Sequence, residues 1–340
     1  MPQNQPPAAP SALSEVELVP TRPSTDKKSR ELRTVLLEGG VSLQIEATAK
    51  DHRALLKKLD AVVKLRNKLE RKPIKKRLTA KHADRHELYQ LSVQSPEEDI
   101  KFLRKVYKSL RKKPAVHFRE DFSGTHLLAT EWVRTRAGCT AEGFDNDPDP
   151  VAWGLHMNAR RLKGDTERLR LSIADVREPS FLAPDVRCAQ NFSYWCFQER
   201  AELVDYFKSV HKDLAEDGVF VLDLHGGSET QEEMEEEREI HEGFTYVWDQ
   251  HSYWPIPGRA VNHIHFRFDD GTELYRAFTY DWRLWGLPEL RDCLTEAGFQ
   301  SVTTYWEGTD KDGESGNGVF KPAKRGEADL SWIAYLAAAK

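Results

Sequence analysis

Read for the spacing of its apolar positions, the chain changes character several times. Residues 1 to 30 are rich in Pro, Ser and charge and carry too few large apolar side chains to repay the entropy of ordering, which predicts a disordered tail. Two β-prone runs about Gly39-Gly40, in "RTVLLEGGVSLQIEA", predict a hairpin that must pack on something else to be stable. Leu55, Leu59, Val62, Leu65 and Leu69 then recur at helical spacing until Pro73 ends the pattern. The run Ser95-Pro96-Glu97-Glu98 predicts a capped helix start, followed by an apolar side built from Ile100, Phe102, Leu103, Val106, Tyr107 and Leu110. From there short apolar runs predict strands near 115 to 120, 140 to 145, 168 to 174, 185 to 191 and 219 to 224. Helical patterns separate them, such as Leu203, Phe207, Val210 and Leu214 on one face of 200 to 215.

Strand and helix in alternation predict a parallel sheet covered on both faces. Past Asp223 the period changes to alternating β-type runs, "FTYVWDQHSYW", "AVNHIHFRF" and "ELYRAFTYDW", with an Asp270-Gly271 turn between the last two. A final helix over 288 to 296 stops at Gly298, and "FQSVTTYW" supplies a closing strand. The expected organisation is a tail (1 to 30), a hairpin with a helix (31 to 82), and a main domain (83 to 340) holding an antiparallel insert over about 244 to 285.

Composition narrows the class. The 340 residues are 39% hydrophobic and 31% charged, enough apolar content for a core and a heavily charged surface. The net charge of −5 averages over segments of opposite sign. Between Lys50 and Lys81, 13 Lys or Arg stand against three acids, so the first helix is basic as well as amphipathic. That stretch offers a contact for nucleic acid or another acidic partner, but it has no aromatic residue to stack on bases, and a solvated helix docking its leucines is favoured. Cys139, Cys188, Cys196 and Cys293 form no C-x-x-C pair, which argues against a zinc ribbon or disulfide framework. No stretch is long and apolar enough to span a membrane or serve as a secretory signal, and the expectation is a soluble, cytoplasmic protein without membrane contact.

A doubly wound sheet presents its chemistry at the carboxyl ends of its strands. The first of these strands ends in Glu120-Asp121-Phe122-Ser123-Gly124-Thr125, the second in Asp145-Asn146, the third in Asp175-Val176, the fourth in Asn191 with Tyr194 and Trp195 close behind, and the fifth in Asp223 and His225. An acid such as Asp145, one strand-helix unit past a tight turn, is placed to accept both hydroxyls of a ribose. His263 and His265 share one strand face, but two ligands alone are weak evidence for a metal, and none is expected.

On these residues the chain resembles the class I S-adenosylmethionine-dependent methyltransferases. "EDFSGTH", residues 120 to 126, lies on the family's acidic-x-Gly-x-Gly-Thr-Gly loop with Glu120, Gly124 and Thr125 matching, while Phe122 and His126 replace the outer glycines. The resemblance implies a doubly wound, mostly parallel seven-stranded sheet and S-adenosylmethionine as cofactor, held by the 120 to 125 loop with Asn191. It gives Asp145 and Asn146 to the ribose, Asp175 to the adenine amino group, and Val176 to the ring. The segment before the capped helix and the β insert look most similar to small-molecule N-methyltransferases. There they roof the site, which implies that Tyr89, Trp195 and Trp285 meet the substrate. Asn191, Tyr194 and His225 are the candidates for holding or deprotonating an acceptor amine. Two alternatives remain open at this stage: an RNA or protein methyltransferase recruited through the basic helix, and a cofactor-binding module without catalysis. The acceptor and the oligomeric state are not legible.

Overall fold

The computed structural model describes residues 19–20, 31–36, 42–47, 52, 54–61, 78–162, 164–310 and 316–340. Apart from the short strand β1 (Val19–Pro20), the tail expected to be disordered lies outside these residues. So does most of the basic helix: only 52 and 54–61 are described as helical, with Leu59 buried in the main core and Leu55 and Leu56 packed against it.

Among the described residues the strands form two sheets. The larger is built around β4 (His117–Asp121), β5 (Thr140–Asp145), β6 (Leu169–Ile173), β7 (Val186–Ala189) and β8 (Val219–Gly226). These run parallel in the order β6-β5-β4-β7-β8, as the alternating pattern requires. Strand order reverses between β4 and β7, and at such a switch point the loops leave on opposite sides and open a crevice. Apolar faces of α2 (Pro96–Arg111), α3 (Leu127–Arg134) and α4 (Pro148–Met157) cover one side, and those of α5 (Arg200–Asp213) and α6 (Leu287–Glu296) cover the other. The short helix α1 (Arg85–Val93) precedes them, capped by Asp84, whose carboxylate accepts the amides of His86 and Glu87. Ser95 precedes α2 as expected, but its hydroxyl makes no cap; its backbone carbonyl takes the amides of Glu98 and Asp99 instead. No described helix is long and apolar enough to cross a membrane.

Among the described residues this sheet has eleven strands, where seven were expected. On the far side of β8, β15 (Trp332–Ala339) enters antiparallel between β8 and β13 (Ser301–Thr309), and β14 (Gly316–Pro322) closes that edge. On the other edge the hairpin β2 (Glu31–Leu36) and β3 (Ser42–Ala47) adds to β6, with Leu43 and Ile45 opposite Leu171 and Ile173. An open edge exposes a row of unpaired amides and carbonyls, and β3 satisfies that row on β6. Residue 83 is therefore not a boundary within the sheet: Leu43, Ile45 and Leu59 belong to the same core as Val106, Phe118 and Leu171.

The second sheet, in the order β12-β11-β10-β9, follows β8. It consists of β9 (Met234–Ile240), β10 (Phe244–Trp254), β11 (Arg259–Phe268) and β12 (Glu273–Arg283). The insert thus starts earlier than residue 244, because the acidic run forms its edge strand, in which the consecutive charged residues Glu235 to Glu239 are all exposed.

Leu43 is fully buried, and removing its side chain should cost about 2 to 5 kcal/mol through lost burial and the cavity left behind. We expect Leu43→Ala to lower the urea midpoint accordingly; an unchanged midpoint would mean the hairpin is not docked on β6.

Candidate active site

The loop after β4 has the shape of a glycine-rich turn with one glycine. Phe122, Gly124 and His126, the three positions where the resemblance implies glycine, all adopt left-handed backbone, at φ of 53°, 50° and 56°. For Phe122 and His126 this conformation costs about 1 to 2 kcal/mol each. Local contacts offset the cost. The Phe122 ring packs edge-on against Phe197 and Tyr206, at 6.0 and 5.8 Å between centroids. His126 is buried and shares a 2.7 Å hydrogen bond with Ser123, whose amide donates to the Phe144 carbonyl. Burial alone pushes the His126 imidazole down to about 3, so it is neutral and adds no charge to the loop.

Close approach, which the missing glycines cannot supply, comes from the neighbouring helix. A Cβ on Gly154 in α4 would meet the Thr125 carbonyl oxygen at 2.1 Å, so α4 can lie against the loop only because residue 154 is glycine. Asn158 at the end of α4 donates to the same carbonyl at 2.8 Å, and Gln90 from α1 donates to the Thr125 hydroxyl at 2.6 Å.

Just before the loop, Asp121 accepts from Arg119 Nε, Arg187 Nε and the Tyr206 hydroxyl, each at 2.7 Å. Both arginines are fully buried, and both also reach Asp213 and the Val176 carbonyl. Nothing in the hydrophobic pattern flagged this network, because an Arg within a strand reads as a surface position until its partners are known.

A cavity of about 500 Å³ opens at the switch point, lined among others by Glu120, Phe122, Gly124, Thr125, Asp145 and Asn191. Asp145 accepts the Gly124 amide at 2.7 Å and the Asp147 amide at 2.9 Å, tying the second strand's end to the loop. Desolvation nonetheless lifts its carboxyl to about 6, and lifts Glu120, whose carboxylate accepts the Ala129 amide, to about 8. Gln94 Oε1 and Gln190 Nε2 are buried beside the same cavity without hydrogen-bond partners, and both residues line it. A bound group with a donor and an acceptor of its own would satisfy them.

A second cavity, of about 520 Å³, adjoins the first and shares Tyr89, Asn191 and Tyr280 with it. Its walls are aromatic, with Phe192, Tyr246, Trp248 and Trp282 joining Tyr89 and Tyr280, and Glu236 and Arg238 face it from β9. Tyr280 stacks on Trp282 at 4.4 Å. Burial pushes the Tyr89 hydroxyl up to about 12, against the opposing effect of a hydrogen bond with Tyr280. His225 lines this cavity with Nε2 3.0 Å from the Ser331 hydroxyl, and burial lowers its pKa, which keeps it neutral. Asp223 does not line it. Its carboxylate accepts the amides of Asn191 and Phe192, both in left-handed backbone, and so sets the turn that places Asn191 between the cavities.

Several residues singled out in the sequence lie elsewhere. Asp175 is engaged by Arg177 at 2.6 and 2.9 Å, and neither it nor Val176 lines the cavity; the Val176 carbonyl faces the buried arginines. Asn146 is exposed and outside the lining. Tyr194 is buried with its hydroxyl on the Asp223 carbonyl at 2.8 Å, a support for the strand end and not a wall. Trp195 and Trp285 belong to the core between α5, α6 and the insert, and Trp285 donates to the Phe197 carbonyl while Arg283 covers its ring at 3.7 Å. Both are aromatic because they join layers. Tyr246, Trp248 and Tyr280, which do form walls, alternate along strands in a way no different from core residues.

No family model and no curated protein matches the sequence. Solved structures do resemble the fold. An S-adenosylmethionine-dependent methyltransferase from Clostridium acetobutylicum aligns over 75% of this chain and 96% of its own at 13% identity, with a TM-score of 0.52. The chain has the fold of the S-adenosylmethionine-dependent methyltransferases. Equally similar are an amino pentose methyltransferase of calicheamicin biosynthesis from Micromonospora echinaspora, solved with S-adenosylmethionine bound (14% identity, 75% and 96% covered, TM-score 0.53), and a sugar N-methyltransferase from Streptoalloteichus (17%, 76% and 93%, 0.52). At such identities the methyltransferase likeness is one of architecture.

Two outcomes test this geometry. Gly154→Ala should force α4 away from Thr125, and we expect a lower Tm together with a distorted loop, seen as shifted amide resonances of Gly124 and Thr125. Glu120 binds its proton more tightly folded, at about 8, than unfolded, near 4.5. The folded state then holds the extra proton between those values, so its stabilising share is complete below about 4.5 and is lost as pH rises through 8. We expect stability of the ligand-free protein to fall from pH 6.5 to 8, and Glu120→Gln to flatten that slope; an equal slope in the variant would place the titration elsewhere.

Proposed function

We propose that the protein is an S-adenosylmethionine-dependent methyltransferase acting on a small molecule that carries an amine. The observation that carries this reading is the pair of adjoining cavities, one at the switch point and one beneath the insert, meeting at Tyr89, Asn191 and Tyr280. The residues of the first suit the cofactor. Asp145 offers a carboxylate to ribose hydroxyls. At the methionine end, Glu120 and Gln94 Oε1 can accept from an ammonium, and Gln190 Nε2 can donate to a carboxylate. The loop needs no glycine-lined phosphate cradle, because this cofactor has no phosphate. Asp175, held by Arg177, is not part of the reading.

When bound, S-adenosylmethionine supplies a methyl carbon on a positively charged sulfur, which an acceptor's lone pair displaces to leave a neutral thioether. The chain's part is to desolvate and align. Tyr89 and Tyr280 stand at the junction of the cavities, and Asn191 can accept a hydrogen bond from the amine there. Aromatic walls favour a cationic amine by about 0.5 to 2 kcal/mol per well-placed ring, and Glu236 at the rim adds a charge of the right sign. An ammonium has to lose its proton before it can attack, and His225, kept neutral by burial, is placed to take it directly or through water. A wall built from α1 and the insert suits a small molecule better than a polymer. The activities of the amino pentose and sugar N-methyltransferases with similar folds support the same reading.

Calorimetry with S-adenosylmethionine and S-adenosylhomocysteine is the deciding experiment, and no heat with either would overturn the proposal. We expect Asp145→Ala to weaken binding at least about tenfold, since each charge-assisted bond is worth about 1.5 to 3 kcal/mol. Asp175→Ala should change it by less than about threefold, which is under 1 kcal/mol. The reverse ranking would return Asp175 to the cofactor.

A further inference from the structure

We propose that Asp249, His251 and His263 form a three-ligand site for a divalent first-row transition-metal ion, of which zinc is the type, on the face of the insert sheet turned away from the acceptor cavity. The inference does not depend on the methyltransferase reading. Tyr246 and Trp248 on β10 and Ile264 on β11 line the cavity, so the alternating residues Asp249, His263 and His265 project from the other face. Register brings them together: Asp249 lies opposite His263, and His263 opposite Thr279 on β12. His251 sits at the irregularity between Gln250 and Ser252, where an extra residue re-aims the strand. One donor atom from each of Asp249, His251 and His263 lies within 4.8 Å of the others. Tetrahedral zinc with bonds of about 2.0 to 2.1 Å holds its donors about 3.3 Å apart, a closure within reach of the half-exposed His251 side chain.

Proton placement favours the ion. His263 is buried, its Nδ1 lies 2.9 Å from the Thr279 hydroxyl, and its Nε2 is buried without a hydrogen-bond partner. With Nδ1–H donating to Thr279, the Nε2 lone pair is left for a cation, whereas in any other use it is a desolvated acceptor with nothing to accept. His265 is fixed in the complementary sense. The Arg276 amide donates to its Nδ1 at 2.8 Å, so its proton sits on Nε2, which donates to Asp249 Oδ2 at 3.1 Å. Arg276 holds a left-handed backbone, at φ 47°, to make that bond, and Tyr275 stacks on the ring at 4.6 Å. His265 is thus a positioning residue that orients the Asp249 carboxylate, the arrangement by which carboxylates and imidazoles are held around metals.

Two imidazoles and one carboxylate suit zinc, nickel or copper better than magnesium or calcium, which prefer all-oxygen shells. The fourth position of a tetrahedral ion falls to water. His251 turns Nδ1 toward Asp249, 3.8 Å from Oδ2, while Arg276 Nη2 lies 3.5 Å from its Nε2, a long and exposed interaction. A bound ion would cross-link β10 to β11 directly behind the aromatic wall.

The test uses the full chain, stripped with a chelator and titrated with zinc chloride by calorimetry and with cobalt(II) chloride by visible absorption. We expect one equivalent of each ion and the intense bands of tetrahedral cobalt. His251→Ala, at a half-exposed position where folding is not at stake, should weaken binding at least tenfold. His263→Gln should do the same, His265→Gln should weaken it by tenfold to a hundredfold, and His241→Ala, an exposed histidine on the adjacent turn, should leave it unchanged. Absence of one-equivalent binding, or binding that survives His251→Ala and His263→Gln alike, overturns the proposal.

Discussion

Asp121 stands between two fully buried arginines, and the loop that lines the switch-point cavity starts from that arrangement. The carboxylate ends β4 one residue before the loop. Arg119 comes from β4 itself, Arg187 from β7, Tyr206 and Asp213 from α5, and the Val176 and Glu178 carbonyls from the segment after β6. Two guanidiniums and two carboxylates balance in charge. Breaking such a buried set by removing one partner costs about 3 to 5 kcal/mol, because a desolvated charge is left behind. The network therefore joins the strands on either side of the switch point at the depth where the crevice begins, and the loop that follows is launched from a fixed point. This rigidity lets Phe122 and His126 hold backbone that glycine would otherwise supply.

The same network accounts for what the cavity does not contain. With the Val176 carbonyl committed to both arginines and Asp175 to Arg177, the third strand's end is consumed structurally. The cavity is lined instead by Asp145 and Asp147 and by the side chains of Gln94 and Gln190. The raised carboxyls of Glu120, Asp145 and Asp223 have one physical origin, desolvation at the carboxyl edge of the sheet. Asp223 meets it by accepting two amides and shaping a turn, whereas Glu120 accepts the amide of Ala129.

The insert gives the molecule its second cavity. Its four strands put one aromatic face over the sheet's edge and leave the other to a row of histidines and acids, a division that follows from the two-residue period of a strand. The hairpin β2–β3 performs a plainer task at the opposite edge, closing β6 against solvent with Leu43 and Ile45.

Periodicity along the chain determined the five central strands to within a few residues, the parallel sense of the sheet and the antiparallel nature of the insert, because these depend on local alternation of apolar and polar positions. The order of acids at successive strand ends likewise located Glu120, Gly124, Thr125, Asp145 and Asn191 at one edge. Tertiary structure alone decided the rest. Whether a tryptophan walls a cavity or joins layers, as Trp282 and Trp285 respectively do, depends on which element packs above it. Whether Asp175 is free or held depends on a neighbouring arginine. That Arg119 and Arg187 are interior residues, and that a hairpin some 120 residues distant in sequence completes the β6 edge, are long-range pairings, and no local pattern encodes a partner that far away.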